Sequence, residues 1–306
     1  MVTADGMVTA DPDAVGGPKA WSRGTLREDD WLITLPSAWA ENLRSAGPGA
    51  AGTALPPPPA ALVTRVTEQL SGGPGVAVVR GWPLDGRTEE ECCALAHWFG
   101  SYLGTPRPPN TARQGHAVLT AQLPAGHPSA DPAHQGRDDG DLAFHTDRAG
   151  PPGPPRLLGL LCVRQAARGG ESLLASGHTV HDRLLARHPA ALPRLYRDFH
   201  FGRGDGFDRV YPVFRRHEGR LLVQYNRHWI ERGQREAAAP LSAADLAALD
   251  AFDDILTAPG TAVPVRLRPG DLLLLDNAAV LHGRTAFTDT PHDPLRRRCL
   301  VRVWVD

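Results

Sequence analysis

Leu272-Leu273-Leu274-Leu275-Asp276-Asn277-Ala278-Ala279-Val280-Leu281-His282-Gly283-Arg284 is the stretch on which the fold turns. Four consecutive leucines, led in by the turn signal Pro269-Gly270-Asp271, have the pattern of a strand covered on both faces. A second apolar run then delivers His282. Far upstream, another short apolar run ends on a matching pair, in Leu142-Ala143-Phe144-His145-Thr146-Asp147. On an extended strand, residues i and i+2 point to the same face, so His145 and Asp147 can reach one metal. His282 must arrive from a neighbouring strand of the same barrel. Two histidines and one carboxylate form the facial triad of non-haem Fe(II) oxygenases, which leaves one face of the metal open for a cosubstrate and O2. Zn(II) suits the same donors. Taken singly, an H-x-D pair is common by chance, and a histidine after an apolar run is more often a core or turn residue.

The arginines after His282 add a second element. From Arg298 the chain alternates as Arg298-Cys299-Leu300-Val301-Arg302-Val303-Trp304, which puts Arg298, Leu300, Arg302 and Trp304 on one face of a strand. A buried guanidinium is a planar, permanently charged fork suited to a carboxylate. Two on one face can hold two anionic groups. Arg296 and Arg297 read as a solvated basic patch.

On these motifs the chain resembles the taurine dioxygenase / clavaminate synthase-like family of Fe(II)- and 2-oxoglutarate-dependent oxygenases. The resemblance runs from about Val76 to Val305. It rests on Leu142 to Asp147, Gly169-Gly170-Glu171-Ser172, Asn277 to Arg284 and Arg298 to Arg302, in that order. It implies an α+β protein with a double-stranded β-helix (jelly-roll, cupin-like) core, flanking helices and lid loops. It also implies Fe(II) held by His145, Asp147 and His282, with 2-oxoglutarate and O2 as cosubstrates. Arg298 then anchors the distal carboxylate of 2-oxoglutarate, Ser172 hydrogen-bonds it, and Arg302 lies towards the cosubstrate or the substrate. Three departures stand out. Ser172 replaces the more usual Thr. The arginines crowd, so Arg296 or Arg297 takes the anchoring role if the register slips. Asp147 stands where the amino-acid hydroxylases closest to clavaminate synthase use Glu. Its presence argues against halogenation, for which a small residue replaces the carboxylate.

Composition excludes other chemistries. The formal net charge of −1 over 306 residues gives no bulk electrostatic case for nucleic acid or membrane binding. No apolar stretch approaches 18 residues and no signal-peptide pattern is present, so a soluble, cytoplasmic protein is expected. Cys92, Cys93, Cys162 and Cys299 form no Cys-x-x-Cys and read as reduced thiols. The one lysine, Lys19, lies in a Gly/Pro/Ala-rich leader, which removes Schiff-base and P-loop chemistry. No G-x-S-x-G elbow is present.

Residues 1–20 are expected to be a disordered leader, and 21–306 a single oxygenase domain, with 104–140 and 200–240 as lid or substrate-side segments. His116, His127 and His134, in the first of these, are irregularly spaced and read as solvated. Val76 to Arg80 and Leu157 to Val163 read as strands. Thr88-Glu89-Glu90-Glu91 and Ser242-Ala243-Ala244-Asp245 read as capping boxes opening helices. Val210 to Phe214 and Leu221 to Tyr225 read as a hairpin around His217-Glu218-Gly219. Tyr225 and Arg227, in Tyr225-Asn226-Arg227-His228-Trp229, line a substrate pocket or cover the core. Phe144 and Trp304 either wall the site or are ordinary core residues.

The expected function is oxidation of a C–H bond, by hydroxylation, of a small anionic or amino-acid-like molecule in secondary metabolism, with release of succinate and CO2. The same chemistry can give desaturation, epoxidation or cyclisation. A redox-inert metal-binding barrel would share the triad but not need Arg298 and Ser172. A zinc hydrolase would need a general base near the metal, and Glu171 is the one nearby acid in sequence. Oligomeric state is not legible.

Overall fold

In the computed structural model, residues 13–47, 49, 55–107, 118–119, 139–149, 153–202, 210–289 and 297–306 are described. The elements run β1 (Leu32–Thr34), α1 (Ser37–Ser45), α2 (Ala60–Ser71), β2 (Val76–Arg80), α3 (Glu89–Gly100), β3 (Val118–Leu119), β4 (Leu142–His145), β5 (Leu157–Arg164), β6 (Arg168–Gly169), β7 (Ser172–Ser176), α4 (Gly177–Arg187) and α5 (Leu192–Leu195). They continue β8 (Asp198–His200), β9 (Val210–Pro212), β10 (Phe214–His217), β11 (Arg220–Val223), α6 (Arg227–Glu236), α7 (Ala243–Thr257), β12 (Val263–Val265), β13 (Asp271–Asp276), β14 (Val280–Arg284), β15 (Phe287–Thr288) and β16 (Cys299–Val305).

Two sheets carry the site. A six-stranded sheet has the order β1-β2-β13-β5-β16-β3, and a four-stranded sheet the order β12-β7-β14-β4. The leucine run is β13, and all six of its residues are buried because both faces are covered. Leu272 and Leu274 pack towards α1, α2 and α3, with Val301, Val303 and Val305. Leu273 and Leu275 point the other way, into an apolar layer shared with Leu174 of β7, Val280 of β14, and Leu300 and Trp304 of β16. That layer joins the inner faces of the two sheets. Each such leucine contributes about 2 kcal/mol when fully buried. The outer face of the four-stranded sheet, through Ala175 and Leu281, packs on α4 to α7 and the strands between them. The protein is therefore α+β, with the two sheets between helical layers.

The expected capping boxes are present. The Thr88 side chain accepts from Glu91 N, the Ser242 side chain accepts from Asp245 N, and each acid reaches back to its cap. The expected hairpin is corrected in part. Phe214–His217 pairs with Arg220–Val223, whereas Val210–Pro212 turns back onto Asp198–His200.

The leader also departs from expectation. Residues 1–12 lie outside the described residues, but 13–20 are docked. Val15 N and Gly16 N donate to the Asp182 carboxylate at 2.7 and 3.0 Å. Lys19 Nζ meets Asp276 Oδ2 at 3.0 Å and the Leu70 carbonyl at 2.6 Å. Composition suggested mobility; a few tertiary polar contacts override it. Most of 104–140, including His116, His127 and His134, and residues 203–209 lie outside the described residues.

Candidate metal centre

Alternation along each strand decides which side chains enter the space between the sheets. On β14, Val280 belongs to the inter-sheet layer and Leu281 to the outer one, so His282 faces inward. β4 pairs antiparallel with β14 so that His145 stands directly opposite His282. Their ring centroids are 4.3 Å apart. The ladder shifts register after His282. At Gly283 a side chain would bring a Cβ within 2.7 Å of the Leu142 carbonyl, so this close approach needs glycine.

Asp147 completes the group, though not as strand alternation predicts. β4 ends at His145, and Asp147 sits in the turn beyond it. Its place is set by two clamps that the sequence reading did not find. Thr146 N donates to the Tyr225 carbonyl at 2.8 Å, and Tyr225 N donates to Thr146 Oγ1 at 3.0 Å. Asn277, fully buried, accepts from Asp147 N at 2.8 Å through Oδ1. Its Nδ2 donates to the carbonyls of Asp147 and Pro155, each at 3.0 Å. A buried amide thus does for a turn what a neighbouring strand does for a sheet. The signal available in the sequence was an Asp-Asn turn directly after a buried strand.

Asp147 Oδ1 lies 3.4 Å from His145 Nε2 and 3.6 Å from His282 Nε2. Among the described residues these three offer donor atoms all within 4.8 Å of one another. Cis donors on a metal with bonds of about 2.1 Å stand about 3 Å apart, so the set fits one ion with small adjustment. The ring surroundings suit this as well. His145 Nδ1 is 2.9 Å from the Ala143 carbonyl, the second-nitrogen contact that suits an Nε2 metal ligand. Burial pushes the His282 pKa down, helped by the neighbouring His145 ring, which favours a neutral donor. Its Nδ1 is buried with no hydrogen-bond partner among the described residues. Burial alone would raise the Asp147 pKa. The Arg302 charge and the two histidine contacts outweigh it and hold the carboxyl well below the usual range.

The predicted face of β16 is the observed one. Trp304 Nε1 donates to Asp147 Oδ2 at 2.6 Å, and Arg302 Nη1 reaches the same oxygen at 3.4 Å. Arg302 and Arg148 both lie over the Trp304 ring, at 4.4 and 5.3 Å from its centroid. Arg148 follows Asp147 in the left-handed region, at φ 53°. Trp304 is thus a hydrogen-bond donor to the triad, whereas Phe144 packs on the outer core.

Arg298 is 6% exposed. Among the described residues its guanidinium meets no carboxylate. Its Nη2 reaches the Gly170 carbonyl at 3.4 Å, and its Nε has no partner. Burial, reinforced by the Arg284 charge, pushes its pKa down to about 10. Both guanidiniums rest on Phe287, at 5.2 and 4.7 Å. Gly170, at φ 71°, passes so close that a Cβ there would lie 3.0 Å from Arg298 Nε. Ser172, two residues on, is buried and shares the inward face of β7 with Leu174. Arg297 is exposed, so the buried arginine is Arg298; Arg296 lies outside the described residues.

Tyr225 and Arg227 are not brought to this group as side chains. The Tyr225 hydroxyl donates to Asp253 Oδ1 at 2.5 Å. Arg227 meets Glu231, Asp250 and Asp253 at 2.5, 2.9 and 3.1 Å. Three carboxylates satisfy that guanidinium within the α6–α7 contact, and of the two readings open for these side chains the core-covering one describes these contacts. What Tyr225 supplies is its backbone, at Thr146.

Asn277→Ala removes three hydrogen bonds and leaves buried groups unsatisfied. The expected loss is about 3 kcal/mol of stability, or about 5 °C in Tm. Metal affinity should also fall about 10- to 100-fold. Thermal unfolding and metal titration of the same variant check both.

The model for "Taurine catabolism dioxygenase TauD, TfdA family" matches residues 43–304. FR-33289 synthase of Streptomyces rubellomurinus is 29% identical over 256 residues, covering 80% of this chain and 73% of that protein. Uridine-5'-phosphate dioxygenase of a Streptomyces species is 33% identical over 220 residues, covering 69% and 77%. The solved structure of asparagine oxygenase with Fe(II), 2S,3S-3-hydroxyasparagine and succinate is similar at TM-score 0.69 and 21% identity, covering 90% of this chain and 93% of that one. With a match across most of its length, the chain belongs to the TauD/TfdA family of dioxygenases.

Proposed function

We propose that this dioxygenase holds Fe(II) with His145, Asp147 and His282, takes 2-oxoglutarate on Arg298 and Ser172, and hydroxylates a C–H bond of a small anionic or amino-acid-like molecule in secondary metabolism. The observation that carries the reading is Arg298. It is buried against Gly170 and Phe287 and meets no carboxylate among the described residues. A dicarboxylic cosubstrate that reaches the metal at one end would satisfy it at the other. Bound at the triad, Fe(II) with 2-oxoglutarate and O2 supplies the oxidising power that yields succinate, CO2 and an oxidised substrate.

The chain's residues bind and orient. The imidazoles present their Nε2 atoms to Asp147 Oδ1, and Asn277 and Thr146 hold the Asp147 backbone still. The apolar inter-sheet layer, with Leu174, Leu300 and Trp304, packs directly behind these ligands. Arg302 and Arg148, over Trp304, are the proposed contacts for an anionic substrate group. Desaturation, epoxidation or cyclisation are other outcomes at the same residues. The core is proposed to be a double-stranded β-helix within a single domain, which the two facing sheets and the family match support. Among the described residues no helix is long and apolar enough to cross a membrane.

The test is an anaerobic visible difference spectrum of the apo-protein with Fe(II), before and after 2-oxoglutarate. A weak new charge-transfer band, absent in His145→Ala, is the expected result, followed by succinate release on substrate screening. No band, with tight Zn(II) binding instead, would favour a hydrolase or a structural metal.

A further inference from the structure

We infer that Trp304 is a positioning residue that keeps Asp147 a one-oxygen ligand. The inference rests on the proposed Fe(II)/2-oxoglutarate reading and goes beyond it. The two oxygens of Asp147 have different surroundings. Oδ1 faces both imidazoles, at 3.4 and 3.6 Å from their Nε2 atoms. Oδ2 faces away from them, taking the Trp304 indole N–H at 2.6 Å and Arg302 Nη1 at 3.4 Å.

Carboxylates bind metals through one oxygen or through two. The choice matters in this site. Of six positions around an octahedral metal, two imidazoles and one oxygen occupy three. That leaves two for a chelating keto acid and one for O2. A two-oxygen carboxylate would leave two positions in all, and the cosubstrates would compete. Oδ2 therefore has to be kept away from the metal.

Trp304 is suited to do so. Its N–H is a donor only and has no tautomer, so it holds an oxygen and never competes for the metal. The ring has little freedom. It is 8% exposed, belongs to the β16 register opposite Leu158, and carries two guanidiniums. The Asp147 backbone is already held by Asn277 on both its N–H and its carbonyl. Rotation of the carboxylate is the freedom left, and the indole N–H takes it up.

A packing role would need the ring alone, so the test separates ring from N–H. Trp304→Phe removes the N–H and part of the ring. Replacement of Trp304 by 3-benzothienylalanine keeps the ring outline and puts sulfur in place of N–H. Full-length protein is loaded with Co(II), and the visible spectrum and the Kd of 2-oxoglutarate are read by anaerobic titration. In both variants the expected result is an altered Co(II) spectrum and a 2-oxoglutarate Kd raised about tenfold or more, within the range for lost outer-shell partners. If Trp304→Phe does not fold, the isostere decides alone. An isostere with the parental spectrum and Kd overturns the inference, whatever Trp304→Phe does. A parent protein whose Co(II) spectrum ignores 2-oxoglutarate rejects the underlying reading, and this inference with it. A responsive parent with an unchanged isostere rejects the inference alone.

Discussion

Arg298→Met is expected to raise the KM for 2-oxoglutarate by about 30-fold to several thousand-fold, while the apo-protein keeps or gains stability. The first part follows from the cost of truncating one partner of a buried charge pair, about 2–5 kcal/mol. The second part follows from the apo site. With no carboxylate on it among the described residues, the buried guanidinium burdens the fold. Its pKa, pushed down to about 10 by burial and Arg284, corresponds to about 3 kcal/mol against the charged form. The sign is that of a base with a lowered folded pKa: the cost is fully present below pH 10 and fades as pH rises above it. Methionine fills similar space without the charge, at the loss of a cation–π contact with Phe287. Steady-state kinetics in 2-oxoglutarate and thermal unfolding of the apo-protein check the two parts. A large loss of apo stability with an unchanged KM would make Arg298 a structural residue.

His282→Ala is expected to abolish metal binding and lower succinate formation by about 1000-fold or more, while the apo-protein still folds. A catalytic metal supplies several kcal/mol of charge stabilisation, and each 1.36 kcal/mol is tenfold in rate. The apo cost is that of truncating one buried ring, about 2–3 kcal/mol, with loss of its contact to Asp147 Oδ1 at 3.6 Å. Its Nδ1 has no partner among the described residues, and burial already favours its neutral form. Metal titration, succinate release and apo-protein unfolding, measured side by side, give the answer. Retained turnover with wild-type metal affinity would remove His282 from the ligand set. Loss of the apo fold would make it a core residue.

The contrast between Asp147 and Arg227 shows where sequence reading works here. That His145 and His282 end apolar runs on neighbouring strands was legible because buried strands carry a local pattern that survives folding. The inward face of β16 was legible from alternation, and Arg302 and Trp304 lie where it put them. Asp147 was found as a residue but with the wrong support. It is held past the end of β4 by Asn277, 130 residues away in sequence. For Arg227 the sequence left two readings open, because its surroundings come from another helix. Asp250 and Asp253 of α7 meet it, and no pattern around Tyr225 encodes that meeting. Residues 13–20 were misread for the same reason, since Asp182 and Asp276, which hold them, are distant in sequence.

The sequence by itself determined the two apolar runs, the histidines and the carboxylate at their ends, the alternating arginine strand and the two capping boxes. The strand faces follow from a period of two residues and the helix starts from a cap's spacing of three, which side chains a few positions apart enforce on one another. Tertiary structure alone decided the rest. It selected Arg298 over Arg297 for burial, turned Trp304 into a donor to Asp147, and paired Asn277 with the Asp147 backbone. It also left Arg298 without a carboxylate among the described residues while surrounding Arg227 with three. Hydrogen bonds and charges act over a few ångströms of space. Whether a polar group is satisfied therefore depends on which strands and helices meet, and that is settled only when the two sheets close on each other.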